Sequence, residues 1–328
     1  MEFEAGKFVI SLDFELFWGV RDKRTIENYG SNIAGVRQAM PAMLDLFDKY
    51  GVNVTFSTVG FLFAQNKAEL KNYLPALKPA YTDQNLSPYA EVETIGENEH
   101  EDPYHFGYSL LASIANRKQH EIGTHTFCHY YCLEPGQTVE AFRQDLLAAK
   151  RIAAAKNISI RSLVFPRNQF NAEYLAVCKE AGIDAYRGNP VSGLYEARNK
   201  NDESLTRRAL RIIDAYINIA GHHCHTKEYV LSSTIVNVAA SRFLRPYSRK
   251  LSFLEGLRLR RIKKSMRHAA IHHKLFHLWW HPHNFGANLP QNLHFLEQVL
   301  AYYRQLNERY GFHSITMTGI TNEAGRNE

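Results

Sequence analysis

No stretch of eighteen apolar residues occurs in the chain, so a transmembrane helix of ordinary length is not expected. Cysteine is scarce. Cys128, Cys132, Cys178 and Cys224 are the only four in 328 residues, too few for a disulfide framework and in keeping with a reducing compartment. Residues 1–7 read MEFEAGK and lack the basic and apolar regions of a signal peptide, so a cytoplasmic protein is expected. Internal repeats, low-complexity tracts and a convincing linker are also missing. The economical expectation is one domain over 1–320, with an insert at 61–119, a basic helical segment at 242–274 and a polar tail at 321–328.

Acidic residues are scarce in one place above all. From Arg242 to Lys274 eleven Lys and Arg stand against Glu255 alone, a segment charge of +10; with +6 for the whole chain, the remainder carries −4. The basic balance therefore belongs to one element, and no nucleic-acid partner is expected. Ser252-Phe253-Leu254-Glu255 fits a capping box, and Leu259, Ile262, Met266 and Ala269 follow at helical spacing. A helix with one apolar and one cationic face results. It would suit an anionic substrate group or peripheral contact with the inner face of a membrane.

Short apolar segments alternate with amphipathic helices, the pattern of an α/β fold with a largely parallel sheet. Strands are expected near 7–16, 52–59, 121–125, 162–166, 185–187, 276–281 and 313–318, with helices near 32–50, 138–156, 172–181 and 292–310. In the first strand, alternation places Phe8, Ile10, Leu12 and Phe14 on one face and Val9, Ser11, Asp13 and Glu15 on the other. Two carboxylates therefore share a face. The stretch 61–119, with Glu91, Glu93, Glu97, Glu99 and Glu101, reads as a lid or binding insert.

His125 and His129 end the third expected strand, and four-residue spacing on a helical turn lets two imidazoles converge on one cation. Two His and one carboxylate, with a position left for water, is a common hydrolytic zinc set, and a second carboxylate can serve as base. Gly221-His222-His223-Cys224-His225 is a second histidine-rich stretch. Without a C-x-x-C pair it reads as a polar loop lining the cleft rather than as a structural zinc site. Trp279 shares a strand face with His277 and His281 and could wall a sugar, although core packing is the commoner use of tryptophan.

In order along the chain, Ser11-Leu12-Asp13-Phe14-Glu15, His125-Thr126-Phe127-Cys128-His129, Phe165-Pro166-Arg167-Asn168 and Trp280-His281-Pro282-His283-Asn284 resemble motifs of the polysaccharide deacetylase family (NodB-type, carbohydrate esterase family 4). Val54-Thr55-Phe56 and Ser314-Ile315-Thr316-Met317 extend the resemblance over most of the chain. It implies a distorted (β/α) barrel with about seven parallel strands and a divalent metal ion, most simply Zn²⁺. Glu15, His125 and His129 match the family's metal ligands, Asp13 its base, Arg167 the arginine paired with that base and His281 its general acid. The family's first motif has adjacent aspartates, whereas Phe14 separates the two acids here, so either Asp13 or Glu15 could be the ligand. The implied activity is deacetylation of an N-acetylated sugar, nucleotide- or lipid-linked. Two alternatives stay open: hydrolysis of another C–N bond in a small molecule, and a non-catalytic carbohydrate- or membrane-binding protein on the same fold.

Overall fold

The computed structural model describes residues 2–195 and 205–323. Nine strands form one parallel sheet: β1 (Lys7–Phe14), β2 (Val54–Thr58), β3 (Glu121–Thr124), β4 (Ser162–Leu163), β5 (Ala185–Tyr186), β6 (Val236–Asn237), β7 (Arg242–Phe243), β8 (Leu275–Trp280) and β9 (His313–Ser314). The path runs β6-β5-β4-β3-β2-β1-β8-β7, with β9 on β1. β6 and β7 lie at opposite ends of this path yet are separated by four residues. The stretch that contains them bonds to both sides: the N–H groups of Val236 and Val238 reach Asp184 and Tyr186, while those of Ser241 and Leu244 reach His277 and Trp279. The sheet is thereby curled round on itself into a barrel. Counting that stretch once gives seven positions around the wall, with β9 added beside the first residues of β1.

β1 is central, flanked by β2 and β8, and all eight of its residues are buried. Its two faces differ in kind. Phe8, Ile10, Leu12 and Phe14 join a large apolar cluster with Met40, Met43 and Phe47 of the helix Val36–Tyr50 and Leu296, Val299 and Leu300 of the helix Leu289–Tyr310. Val9 instead joins Val164, Ala185, Val236 and Leu275 in a separate cluster closed by Met317 and Ile320. One end of the barrel interior is thus apolar. The next residues on that face of β1, Ser11, Asp13 and Glu15, carry the polar chemistry toward the carboxyl ends of the strands, where α/β sheets place their sites.

Some expected elements take a different form. The helix expected over 32–50 is two helices, Ile26–Ala34 and Val36–Tyr50, joined at Gly35. A Cβ on Gly35 would stand 2.2 Å from the Gly286 carbonyl oxygen, and one on Gly286 would stand 1.9 Å from that of Asn32. The two glycines let the loop after β8 lie directly on this helix junction. Residues 313–318 form only the two-residue β9 before the helix Met317–Glu323, so Thr321 is buried in a helix; 324–328 of the expected tail lie outside the described residues. Within 61–119 the helices Lys67–Asn72 and Tyr108–Ala115 are joined by loops and short 3₁₀ turns.

The basic helix spans Glu255–Ile271, but its start has no side-chain cap: a 3₁₀ turn, Arg249–Leu254, leads into it in place of the expected capping box. Its cations are also not all on one solvated face. Arg258 and Arg261 are buried, as is Arg242 on β7. Arg258 pairs with Glu255 and lies over the Phe295 ring, while Arg261 and Arg242 converge on Asp214.

Candidate metal and catalytic site

The site begins where β1 ends. Glu15 Oε2 lies 3.1 Å from His129 Nε2 and 3.3 Å from His125 Nε2. All three side chains are buried, and their donor atoms lie within 4.8 Å of one another. This is the one such cluster among the described residues. Gly19 makes room for it. A Cβ there would fall 1.9 Å from the Glu15 carboxyl carbon, so any other residue would push the carboxylate aside.

The histidines meet by a route other than a helical turn. His125 follows β3, and the chain then turns through left-handed conformations at Thr126 (φ 63°) and His129 (φ 61°). A β-branched residue at positive φ is strained, and such strain persists only where its surroundings enforce it. Here the buried Asp145, on the helix Val139–Ala154, accepts the N–H groups of Phe127 at 2.7 Å and Cys128 at 3.1 Å. Burial raises the Asp145 carboxyl to about 6, even though these N–H groups and the Cys128 side chain draw it down.

The donor set suits a cation. His125 Nδ1 lies 2.8 Å from the Val164 carbonyl oxygen, which can only accept, so Nδ1 carries the hydrogen. In the neutral ring, Nε2 then presents its lone pair to the Glu15 carboxylate. His129 Nδ1 is likewise engaged, by the Tyr131 hydroxyl at 3.0 Å. Burial lowers the His129 pKa against the pull of Glu15, which favours the neutral ring a metal needs. Donor separations of 3.1 and 3.3 Å are close to the roughly 3.3 Å edge of a tetrahedron with zinc-like bonds of about 2.0 Å. Burial raises the Glu15 carboxyl, but the neighbouring His281, with His125 and His129, outweighs it and holds Glu15 well below the ordinary range.

Asp13 stands beside this cluster and is gripped by an arginine, but that arginine is not Arg167. Arg187, directly after β5, sets Nη1 and Nη2 each 2.7 Å from one Asp13 carboxylate oxygen. Arg167 pairs with Asp22 and Glu134 and lies over the Tyr131 ring, at the edge of the same cleft. The expected pairing of Arg167 with the base is therefore corrected. Burial raises the Asp13 carboxyl, but Arg187, with His125 and His281, overcomes this and leaves it below its ordinary value.

Arg187 is itself fixed. Its guanidinium stacks 4.0 Å from the Trp279 ring centre, and Nη1 also donates to Ser11 Oγ at 3.0 Å. Ser11 in turn lies 2.8 Å from His277 Nε2, while His277 Nδ1 faces the Val238 carbonyl oxygen at 2.8 Å. The carbonyl sets the tautomer, with Nδ1 donating and Nε2 accepting the Ser11 hydroxyl. Burial drops His277 to about 3, with Arg187 adding to the effect, so the ring stays neutral. A chain of hydrogen bonds therefore runs from Val238 in the closing stretch to Asp13.

His281 completes the site after β8. Its Nε2 lies 3.6 Å from Asp13 Oδ2 and 3.7 Å from Glu15 Oε1, so it faces both acids, and its Nδ1 lies 3.3 Å from Asn284 Oδ1. His283 stacks on it at 5.0 Å and is held at about 3 by burial, with the neighbouring His281 adding to the effect. The cleft above, about 340 Å³, is also lined by Phe243, Trp279, Lys23 and Arg24. Trp280, by contrast, is fully buried in the core.

The second histidine-rich stretch does not line this cleft. His222 stacks on His268 of the basic helix at 4.8 Å, His225 Nε2 faces the Ala240 carbonyl oxygen, and the Cys224 thiol faces the carbonyls of His222 and Ser265. Cys128 lies elsewhere, against Asp145 and Tyr89. All four cysteines are free thiols.

Residues 29–186 match the sequence model of the polysaccharide deacetylase family. The chain is similar in fold to a solved structure assigned as a polysaccharide deacetylase from Mycobacterium smegmatis, at 13% identity and a TM-score of 0.60, covering 99% of this chain and 92% of that one. A second structure, assigned in the same way, from Pseudomonas aeruginosa PAO1 is similar at 12% identity and a TM-score of 0.53, covering 98% and 91%. The curated protein sequences contain no match.

Proposed function

We propose that the chain is a metal-dependent hydrolase removing the acetyl group from an N-acetylated sugar, a reading supported by the match of residues 29–186 to the polysaccharide deacetylase family model. The observation that carries this reading is the buried Glu15, His125 and His129 set standing beside an Arg187-held Asp13 within one cleft. A divalent cation held by those three residues, most simply Zn²⁺, would supply Lewis acidity for the water and the acetamide carbonyl. Asp13, kept ionised by Arg187, accepts a proton as the water oxygen bonds to the carbonyl carbon. His281, facing both acids, is placed to deliver a proton to the departing nitrogen. The C–N bond breaks, leaving acetate and the free amine.

Trp279 and Phe243 offer apolar walls for a sugar ring, and Lys23 and Arg24 at the same cleft favour a substrate bearing phosphate, as a nucleotide- or lipid-linked sugar does. In this reading the protein works in the cytoplasm. The test is acetate release by the zinc-loaded protein from free and nucleotide-linked N-acetyl sugars. Asp13→Asn should lower turnover by about 10²-fold or more while the protein still retains its zinc. Zinc loss in that variant would make Asp13 the ligand, and no acetate release from any substrate, with tight binding of one, would favour a binding protein.

A further inference from the structure

Among the described residues, nine of the twelve large apolar side chains that stand exposed fall in two stretches, 191–219 and 253–271. Phe253 is 78% exposed and Ile217 57%, with Ile213, Ile219 and Leu257 also exposed. These stretches pack on each other. Arg261 of the basic helix donates to the Asp214 carbonyl at 3.3 Å and to its carboxylate at 3.4 Å, and also binds the Gly221 carbonyl. Buried arginines thus fasten the isoleucine-bearing segment to the flank of the basic helix.

Among the described residues, the accessible charge of this surface is cationic apart from Glu255, which is paired with Arg258. Of the eleven cations in 242–274, Arg242, Arg258 and Arg261 are buried, which leaves eight at the surface. Arg249, Lys250, Arg260 and Lys264 are exposed, and no carboxylate among the described residues forms an ion pair with them. Asp214, the one acid among the described residues of the isoleucine-bearing segment, is buried under Arg242 and Arg261. Apolar tips set among unopposed cations are the makings of an interfacial anchor, since the tips enter the acyl boundary while the cations meet anionic headgroups. A protein partner of ordinary composition would require acids here to match.

Topology directs the surface. β7 and β8 are parallel, so the helix joining them runs back along the barrel wall. Its first turn, with Phe253 just before it, starts from the end at which β7 delivers Phe243 to the cleft. We propose that the face formed by Phe253, Leu257, Ile213, Ile217 and Ile219 with Arg249 and Lys250 docks on an anionic lipid bilayer, with the cleft at that same end. No helix among the described residues is long and apolar enough to cross the membrane, so the contact is peripheral. Docking stands without the deacetylase reading; only the benefit of meeting a lipid-borne substrate there rests on it.

The test is co-flotation of the full chain with phosphatidylcholine vesicles, with and without phosphatidylglycerol. The chain should bind the anionic vesicles at least about tenfold more tightly than the neutral ones. The combined Phe253→Ser, Leu257→Ser and Ile217→Ser variant should lose about tenfold or more in vesicle affinity, and Arg249→Glu with Lys250→Glu should do the same. Far-UV circular dichroism and zinc retention report that the variants fold. Three outcomes overturn the proposal: no binding to anionic vesicles, binding that the serine variant leaves intact, or a serine variant that turns a dimer into a monomer, which would make the face a contact between copies. Vesicle binding with no acetate release from any sugar would sink the deacetylase reading and leave the docking surface standing.

Discussion

Arg187 shows what a single side chain carries in this site. Its head makes two bonds to Asp13 and one to Ser11 with almost no solvent access, so it forms a buried ion pair whose parts cannot be removed singly at low cost. Arg187→Gln strands the Asp13 carboxylate, and we expect a stability loss of about 3–5 kcal/mol by urea unfolding, with turnover falling by about 10²-fold as the base loses its counter-charge. Arg167→Gln, whose partners Asp22 and Glu134 stand at the cleft edge, should affect substrate affinity more than stability. Equal stability losses in the two variants would contradict this assignment. Glu15, Asp13, His125 and His129 were legible in the sequence because strand alternation or short spacing announces them, and His281 through the family resemblance. Arg187 was not. It is a lone arginine after a two-residue strand, and only the curling of the sheet carries it across to β1. Ser11 and His277 had a fainter signal, since each shares a strand face with a residue already singled out.

At the scale of elements, the loop after β3 depends on the helix Val139–Ala154 through Asp145. The folded carboxyl titrates near 6 against 3.8 for the free group. Between these values the folded state keeps a proton that the unfolded state has lost, so this group stabilises fully below about 3.8 and the contribution disappears as pH rises through 6. The difference is on the order of 3 kcal/mol. Asp145→Asn keeps an acceptor for the Phe127 and Cys128 amides but cannot titrate, so the loss of stability relative to wild type should be largest at pH 4 and least at pH 7. Urea titrations of both proteins across that range check it, and a pH-independent difference would count against it. Elements with strong periodicity were legible: β1, the helix after Thr138 and the long helix ending at Tyr310. β6 and β7 were missed because two-residue strands leave no alternation to read. The helix junction at Gly35 was missed because its cause, Gly286, lies far along the chain.

Across the whole molecule, buried histidines set the acid limit. His223 and His225 titrate near 4 and His277 near 3, each lowered chiefly by burial. Unfolded histidines titrate near 6.5, so each contributes stability that is present above that value and is lost as pH falls toward the folded pKa. In the window from about 6 to 4, unfolding takes up protons at these three rings, and likewise at His120, His268 and His283, and releases one at Asp145. The balance is a net uptake, so stability falls with pH by at least roughly 2–3 kcal/mol per pH unit. The metal-free protein should therefore weaken steeply on acidification from pH 6.5, by thermal or urea unfolding, and a flat profile to pH 4.5 would refute the account. Parallel α/β architecture and about seven wall positions were readable from the alternation of elements and from family resemblance. How the wall closes was not, because closure depends on residues 236–244 bonding on both sides.

The placement of β1 has a consequence for synthesis. The first of the nine strands to be made is the centre of the sheet, yet one of its two flanks waits for β8 and β9, the last two of the nine. Until then a fully apolar face of Phe8, Ile10, Leu12 and Phe14 and an open strand edge are available to any neighbour, which is the situation in which nascent chains aggregate. Glu15, His125 and His129 lie on earlier segments, so the proposed metal ligands exist before the barrel can close. A cation captured then would hold β1 against β3 while the remaining wall is translated.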